Sequence, residues 1–186
     1  EAENRSVFYP NVSGSFIATE AFDFLRNKKN INYLKFRLGY STAANFPNPY
    51  STRSALNIST RNFVTTGGSV INTNNIPNFL PNPTLKPELL EEIETGIEGK
   101  FFQSRLSTDI TLYQRVSNDQ ILNRDLDPST GYTSQQINAG KVTNKGIEAQ
   151  IAYKIIRNKD WVWEVTGNYT LNESLVSDIP TDLKEI

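Results

Sequence analysis

The sequence predicts an all-β protein, and within that class an antiparallel segment of a transmembrane β-barrel with about six long membrane strands. Three observations predict it. Segment after segment alternates strictly between apolar and polar residues, the period of two that sends successive side chains to opposite faces of a strand. The longest alternating arms run to about 11 residues, roughly twice an ordinary soluble strand; tilted near 45°, such an arm crosses about 25 Å. Finally, charges fall on one parity only, as expected of a sheet between lipid and water.

Taken in order, residues 12–18 form a weaker strand, and residues 20–28 a short helical turn at the surface with Ala21, Phe24 and Leu25 on one side. In 33–41, Leu34, Phe36, Leu38 and Tyr40 oppose Lys35, Arg37, Gly39 and Ser41. In 93–101, Ile93, Thr95, Ile97, Gly99 and Phe101 oppose Glu94, Gly96, Glu98 and Lys100. In 106–113, Leu106, Thr108, Ile110 and Leu112 oppose Ser107, Asp109, Thr111 and Tyr113. A hairpin closes the series. Its arm 146–156 places Ile147, Ala149, Ile151, Tyr153 and Ile155 against Glu148, Gln150 and Lys154. After a turn at 157–160, the arm 161–172 places Trp161, Trp163, Val165, Tyr169 and Leu171 against Glu164, Thr166, Asn168 and Thr170.

The connections divide by length. Residues 102–104 and 157–160 are short turns and 20–31 is intermediate, whereas 42–88 and 114–145 are long. Membrane barrels keep short turns on the periplasmic side and long loops outside. Placing the short turns at the periplasm sends the strands down and up in alternation, and both long stretches then fall outside. The stretch 42–88 is punctuated by Pro47, Pro49, Gly67, Gly68, Pro77, Pro81, Pro83 and Pro87, which leaves room for one short strand near 54–65. Residues 125–131 are a loop-tip turn.

Composition narrows the function. The net charge of −1 carries no nucleic-acid footprint. Mean hydropathy is −0.47 and no apolar run is long enough for a membrane helix, a criterion that does not bear on barrel strands. With no Cys and no His, thiol chemistry is excluded and the commonest general base and transition-metal ligand are missing. No cofactor, metal or enzyme activity is expected. Glu94, Glu98 and Glu148 read as parts of a solvated wall beside lysines such as Lys100 and Lys154. Asp125 and Asp127 have the spacing that opens a calcium loop, but no Gly or closing Glu follows in place. The candidate ligand contacts are Phe63, Phe79, Tyr113 and Tyr132, in or near the outer loops, weighed against simple loop packing. Trp161, Trp163 and Tyr169 are the candidate membrane-interface residues.

Several motifs resemble one family, in its order. Asn82-Pro83-Thr84-Leu85-Lys86-Pro87-Glu88 followed by Glu94-Thr95-Gly96-Ile97-Glu98 resembles a signature of SusC/RagA-like TonB-dependent outer-membrane transporters. Asn138-Ala139-Gly140, running through Asn144-Lys145-Gly146-Ile147-Glu148, resembles a second. Phe8-Tyr9-Pro10-Asn11-Val12-Ser13 and Leu34-Lys35-Phe36-Arg37-Leu38-Gly39-Tyr40-Ser41 resemble two strand entries of the same family. The resemblance implies a barrel of about 22 strands in the outer membrane of a bacterium, closed by a plug and energised through TonB. It also implies a SusD-like surface lipoprotein as partner and a glycan or peptide as cargo. On this reading residues 1–186 are a partial barrel domain from the later part of the barrel, lacking plug and closing strands. The competing expectation is a soluble cell-surface β-sandwich for binding or adhesion, with strands of 5–6 residues and a second sheet over the apolar faces.

Overall fold

The computed structural model describes residues 6–26 and 29–180, with the backbone alone at 26, 59–63 and 70–73. Its main body is one sheet of long antiparallel strands. These are β1 (Asn11–Ile17), β2 (Ile31–Asn45), β6 (Glu88–Phe101), β7 (Leu106–Asn118), β10 (Lys141–Arg157) and β11 (Val162–Ser177), hydrogen-bonded in that order. Between β2 and β6 lie the hairpin β3 (Asn57–Val64) and β4 (Val70–Asn75), and the short β5 (Phe79–Leu80). Between β7 and β10 lie β8 (Ile121–Asp125) and β9 (Ser134–Asn138). β8 and β9 are antiparallel, β5 joins β9 in parallel, and the three make a second small sheet.

Register turns the alternation into two continuous faces. One row runs Phe16, Phe36, Ile97, Ile110, Ala149, Tyr169 across all six strands of the main sheet. The neighbouring row on the other face runs Ser15, Arg37, Gly96, Thr111, Glu148, Thr170. A one-residue slip in any pair would put charges among the apolar side chains, so the pattern itself fixes the register.

The apolar face is bare. Leu38 is 60 % exposed, Ile93 51 %, Leu112 48 % and Leu171 57 %, and no second sheet covers them among the described residues. The buried apolar residues are Ala18, Leu85 and Ala139, all outside the sheet's centre. A soluble sandwich hides this face against another sheet, and its strands are typically about 5–6 residues long. Here β10 has 17 residues and β11 has 16. Among the described residues no helix is long and apolar enough to cross a membrane, which says nothing about strands.

Two bulges keep the apolar face intact where simple parity fails. Asn32 is the extra residue between Ile31, opposite Phe101, and Tyr33, opposite Lys100. Ile31 thereby joins the apolar face although it shares the parity of Lys35. Ile155 is the extra residue between Lys154, opposite Glu164, and Ile156, opposite Trp163. Both isoleucines of that pair accordingly border the apolar side, where parity alone had placed only Ile155.

Other elements differ from expectation for physical reasons. The long strands overrun their alternating segments at one end, where Glu91, Lys145 and Glu173 take the parity that is apolar below them. There charged residues occupy both parities and the alternation ends. The connector after β1 folds as two single turns, α1 (Ala18–Ala21) and α2 (Asp23–Arg26), separated by Phe22. Ala18 and Thr19 are buried, and the Thr19 hydroxyl accepts a hydrogen bond from the Leu34 amide at 3.3 Å. Phe22 packs edge-on against Phe16 at 5.9 Å and beside Phe24 at 5.6 Å.

Candidate functional site

The sheet has a short-turn end and a loop end, and the features with chemical character lie on its polar face and at the loop end. On the polar face opposite charges meet between neighbouring strands. Lys35 faces Glu98 at 3.7 Å, Glu92 meets Arg115 at 2.8 Å and Lys154 meets Glu164 at 3.7 Å. Lys100 lies instead over the ring of Tyr33, 5.6 Å from its centroid. Such partly exposed pairs contribute about 0–1 kcal/mol each, so they arrange the face more than they hold it.

Two longer bridges cross a whole strand, and each crosses at a glycine. Arg37 spans β6 above Gly96 to reach β7, where its Nη2 and Nη1 donate to Asp109 at 2.6 and 3.2 Å and Nη2 also donates to Thr111 at 3.0 Å. A Cβ on Gly96 would stand 2.8 Å from Arg37 Nη2. Tyr113 likewise lies over Gly146 on β10, and its hydroxyl comes within 3.5 Å of Asn172 Oδ1 on β11. A concavity of about 370 Å³ opens beside the first bridge, lined by Ser15, Lys35, Arg37, Glu92 and Glu94. A second, of about 320 Å³, is lined by Asp109, Thr111, Glu148, Gln150, Asn168 and Thr170. Both are open; the second is mainly polar, while the first mixes its charged residues with Leu38 and Tyr40.

At the loop end the chain is tied down by side-chain amides. Asn82 donates to the carbonyl of Gln136 at 2.9 Å and accepts from the Thr84 amide and hydroxyl at 3.1 and 2.7 Å. Asn138 accepts from the Lys86 amide and donates to the carbonyls of Lys86 and Asp119. The turn expected at 125–131 is a 3-10 turn, Pro128–Thr130, capped by Asp127 and closed by Gly131 at φ 79°. Hydrogen bonds from Ser129 hold the Asp127 carboxyl below the ordinary carboxylate range. Among the described residues no three acidic or other metal-ligating side chains converge.

The candidate ligand contacts separate in space. Phe79 is half-buried in β5, opposite Ser134, and Tyr132 stands in the turn two residues before that strand, so both lie at the same end of the small sheet. Tyr113 is not in a loop but on the polar face of β7. The backbone of Phe63 is in β3, opposite Ile71, while its side chain lies outside the described residues. At the short-turn end Trp161 is 74 % exposed, its amide bonded to Asn158 Oδ1 at 2.7 Å. Trp163 sits on the apolar face beside that turn, whereas Tyr169 lies midway up it. The sequence reading missed the two glycine crossings and the side chain of Asn138; glycine on the polar parity of Gly96 and Gly146 was the available signal.

Comparison with known proteins places these features. The family model described as TonB dependent receptor-like, beta-barrel matches residues 2–184. TonB-dependent receptor P26 of Formosa agariphila is 25% identical over 178 residues, which is 95% of this chain and 18% of that protein. TonB-dependent receptor SusC of Bacteroides thetaiotaomicron is 27% identical over 99 residues, 53% of this chain and 10% of its own length. Among solved structures the RagAB peptide transporter superposes with a TM-score of 0.79 at 23% identity, over 97% of this chain and 19% of that one. The likeness to that structure is one of fold. The chain thus spans about a fifth of the length of TonB-dependent receptor P26.

Proposed function

The chain belongs to the TonB-dependent receptor-like β-barrel family, and from that membership we propose that residues 1–186 are part of the barrel wall of an outer-membrane importer. The apolar face then meets lipid, the polar face lines the lumen, and the loop end faces the outside. The observation that carries this reading is the two-faced sheet whose elaborated connections, β3 to β5 and β8 to β9, all leave from one end. An apolar face left bare in water would be an aggregation liability, and in a bilayer it becomes the anchoring surface.

The transporter's role is passage, not catalysis. The wall positions a plug, TonB supplies energy, and the outer loops receive cargo with a SusD-like lipoprotein. The cargo class is a peptide or an oligosaccharide; likeness to the RagAB fold and resemblance to SusC/RagA-like motifs support both the class and the lipoprotein partner. Phe79 and Tyr132 are the aromatic residues in place to touch cargo, and Trp161 with Trp163 forms the periplasmic-side aromatic belt. Tyr169, deeper in the apolar band, contributes lipid-facing area.

The test uses the full-length receptor. It should fractionate with the outer membrane, run as a heat-modifiable band, and co-purify with a surface lipoprotein. Recovery as a cooperative monomer from the soluble fraction without detergent would refute the reading.

A further inference from the structure

We propose that Asn138 and Glu88 are positioning residues of the outer rim: they lock the small sheet of β5, β9 and β8 onto the ends of the wall strands, holding Phe79 and Tyr132 ready-formed for a ligand. This rests on the reading that the outer loops receive the cargo.

The carboxamide of Asn138 satisfies both backbone groups of one residue. Its Oδ1 accepts from Lys86 N at 2.7 Å and its Nδ2 donates to Lys86 O at 2.8 Å, as a neighbouring strand would. The same Nδ2 donates to Asp119 O at 2.9 Å, where the chain turns from β7 into β8 with φ 55°. Glu88 splits its carboxylate in a similar way. Oε1 accepts from the Ile121 amide and Oε2 from Asn45 Nδ2, both at 2.7 Å. Around them the Ala139 amide donates to Gln120 O at 2.8 Å and the Gly140 amide to Asp178 O at 3.1 Å. The ends of β2, β6, β7, β10 and β11 therefore meet in one knot, and Leu85 is buried within it.

Two of these bonds belong to the wall, Asn45 to Glu88 within the last β2–β6 pair and Gly140 to Asp178 at the end of β10 and β11; the bonds of Asn138 and the Glu88 bond to Ile121 lie beyond the ladders. β6 and β7 are paired from Leu89 opposite Asn118 down to Phe101 opposite Leu106, and β7 and β10 from Ser117 opposite Val142 onward. The strand ladders are complete without the knot. What the knot fixes lies above it, in loops whose ordering costs entropy that the ladders do not offset.

The experiment is hydrogen exchange on the full-length receptor in detergent micelles. Asn138→Ala should speed exchange across 121–138 at least tenfold and leave 146–156 unchanged. Asn138→Asp should do the same, because it keeps the acceptor for Lys86 N but sets a carboxylate against two carbonyls. Glu88→Ala should loosen Ile121, while Glu88→Gln should restore its protection, since the Gln carbonyl still accepts there and Asn45 can turn its own carbonyl toward the new NH₂. A second arm measures retention of a pooled probe of tryptic peptides and partially hydrolysed polysaccharide, which Asn138→Ala should cut at least tenfold. Unchanged exchange in Asn138→Ala, equal loosening of 146–156, or retention equal to wild type would each overturn the proposal. A wild-type receptor that retains none of the probe overturns the cargo reading, and the exchange arm then decides the locking by itself.

Discussion

The phenol ring of Tyr113 lies across Gly146, close enough that a Cβ on that glycine would stand 2.5 Å from the ring's Cζ and hydroxyl oxygen. The glycine is a slot, and the tyrosine uses it to reach from β7 over β10 toward Asn172 on β11. Because the obstructing atoms are the far end of a side chain, Gly146→Ala should displace the ring, not the strand. Stability should change by less than about 1 kcal/mol, the scale of a single weak hydrogen bond. A fluorotyrosine label at Tyr113, read by ¹⁹F NMR, should shift to a solvent-like value in Gly146→Ala, as it should in Tyr113-labelled Asn172→Ala to a smaller extent. An unmoved resonance would show that the ring does not occupy the slot.

The second slot serves a stronger bridge. Arg37 reaches Asp109 with two hydrogen bonds, at side-chain exposures of 29 % and 40 %. Bidentate geometry raises the value of the pair and solvent lowers it, so a double-mutant cycle of Arg37→Ala and Asp109→Ala should give a coupling of about 0.5–1 kcal/mol. Gly96→Ala should remove most of that coupling, since the new methyl occupies the path of the guanidinium. Urea unfolding in lipid or detergent measures all of these, and a cycle unaffected by Gly96→Ala would disprove the crossing.

How much of this was legible follows from where each residue sits. Phe36, Ile97, Ile110 and Tyr169 could be assigned to one face because apolar and polar residues alternate strictly around them. Above Tyr40 that contrast ends: Glu91, Lys145 and Glu173 carry charge on the parity that is apolar below them, so the extensions of β6, β10 and β11 left no periodic trace. The strands β4, β5, β8 and β9 are short. The bulges at Asn32 and Ile155 are single-residue insertions that parity reads as noise. Asn138 was visible within a motif, but that its partner is Lys86, 52 residues away, is a fact of topology.

The turn between β6 and β7 holds Phe102, Gln103 and Ser104 at φ 54°, 59° and 60°. A left-handed conformation costs an ordinary residue about 1 kcal/mol. The surroundings hold it there: Asn32 accepts from the Ser104 amide at 2.9 Å and Arg157 donates to the Gln103 carbonyl at 2.8 Å. Gln103→Gly should therefore be neutral or stabilising by up to about 1 kcal/mol, whereas Gln103→Val should destabilise by about 1 kcal/mol or more. Unfolding midpoints of the two variants test the ordering, and a reversed order would contradict the turn geometry.

At the loop tip, Asp127 caps the turn that begins at Pro128. Its carboxyl is held below the ordinary range by the hydroxyl and amide of Ser129. A depressed folded-state pKa stabilises the turn above the unfolded value of about 3.9, and that contribution is lost as pH falls through the folded value. Protection of the Ser129 amide should therefore persist at pH 5 and decline at still lower pH. Asn caps as well as Asp without titrating, so Asp127→Asn should keep the protection and abolish its pH dependence. A decline that survives the substitution would assign it to another group.

The sharpest consequence of the two faces concerns adjacent residues. Ile110 lies in the middle row of the apolar face, between Ile97 and Ala149, and Thr111 lies in the polar row beside Gly96 and Glu148. If the apolar face meets lipid, Ile110→Lys buries an ammonium near the middle of the bilayer and should cost about 2–4 kcal/mol. Thr111→Lys places the same charge beside Glu148 on a wet surface and should cost less than about 1 kcal/mol. Arg37 also donates to the Thr111 hydroxyl, so Thr111→Ser should accompany it to separate loss of that bond from the added charge. Folding free energies of full-length variants in vesicles give the comparison directly. Equal costs at the two positions would mean that both faces see the same solvent, and the membrane orientation of the sheet would then be wrong.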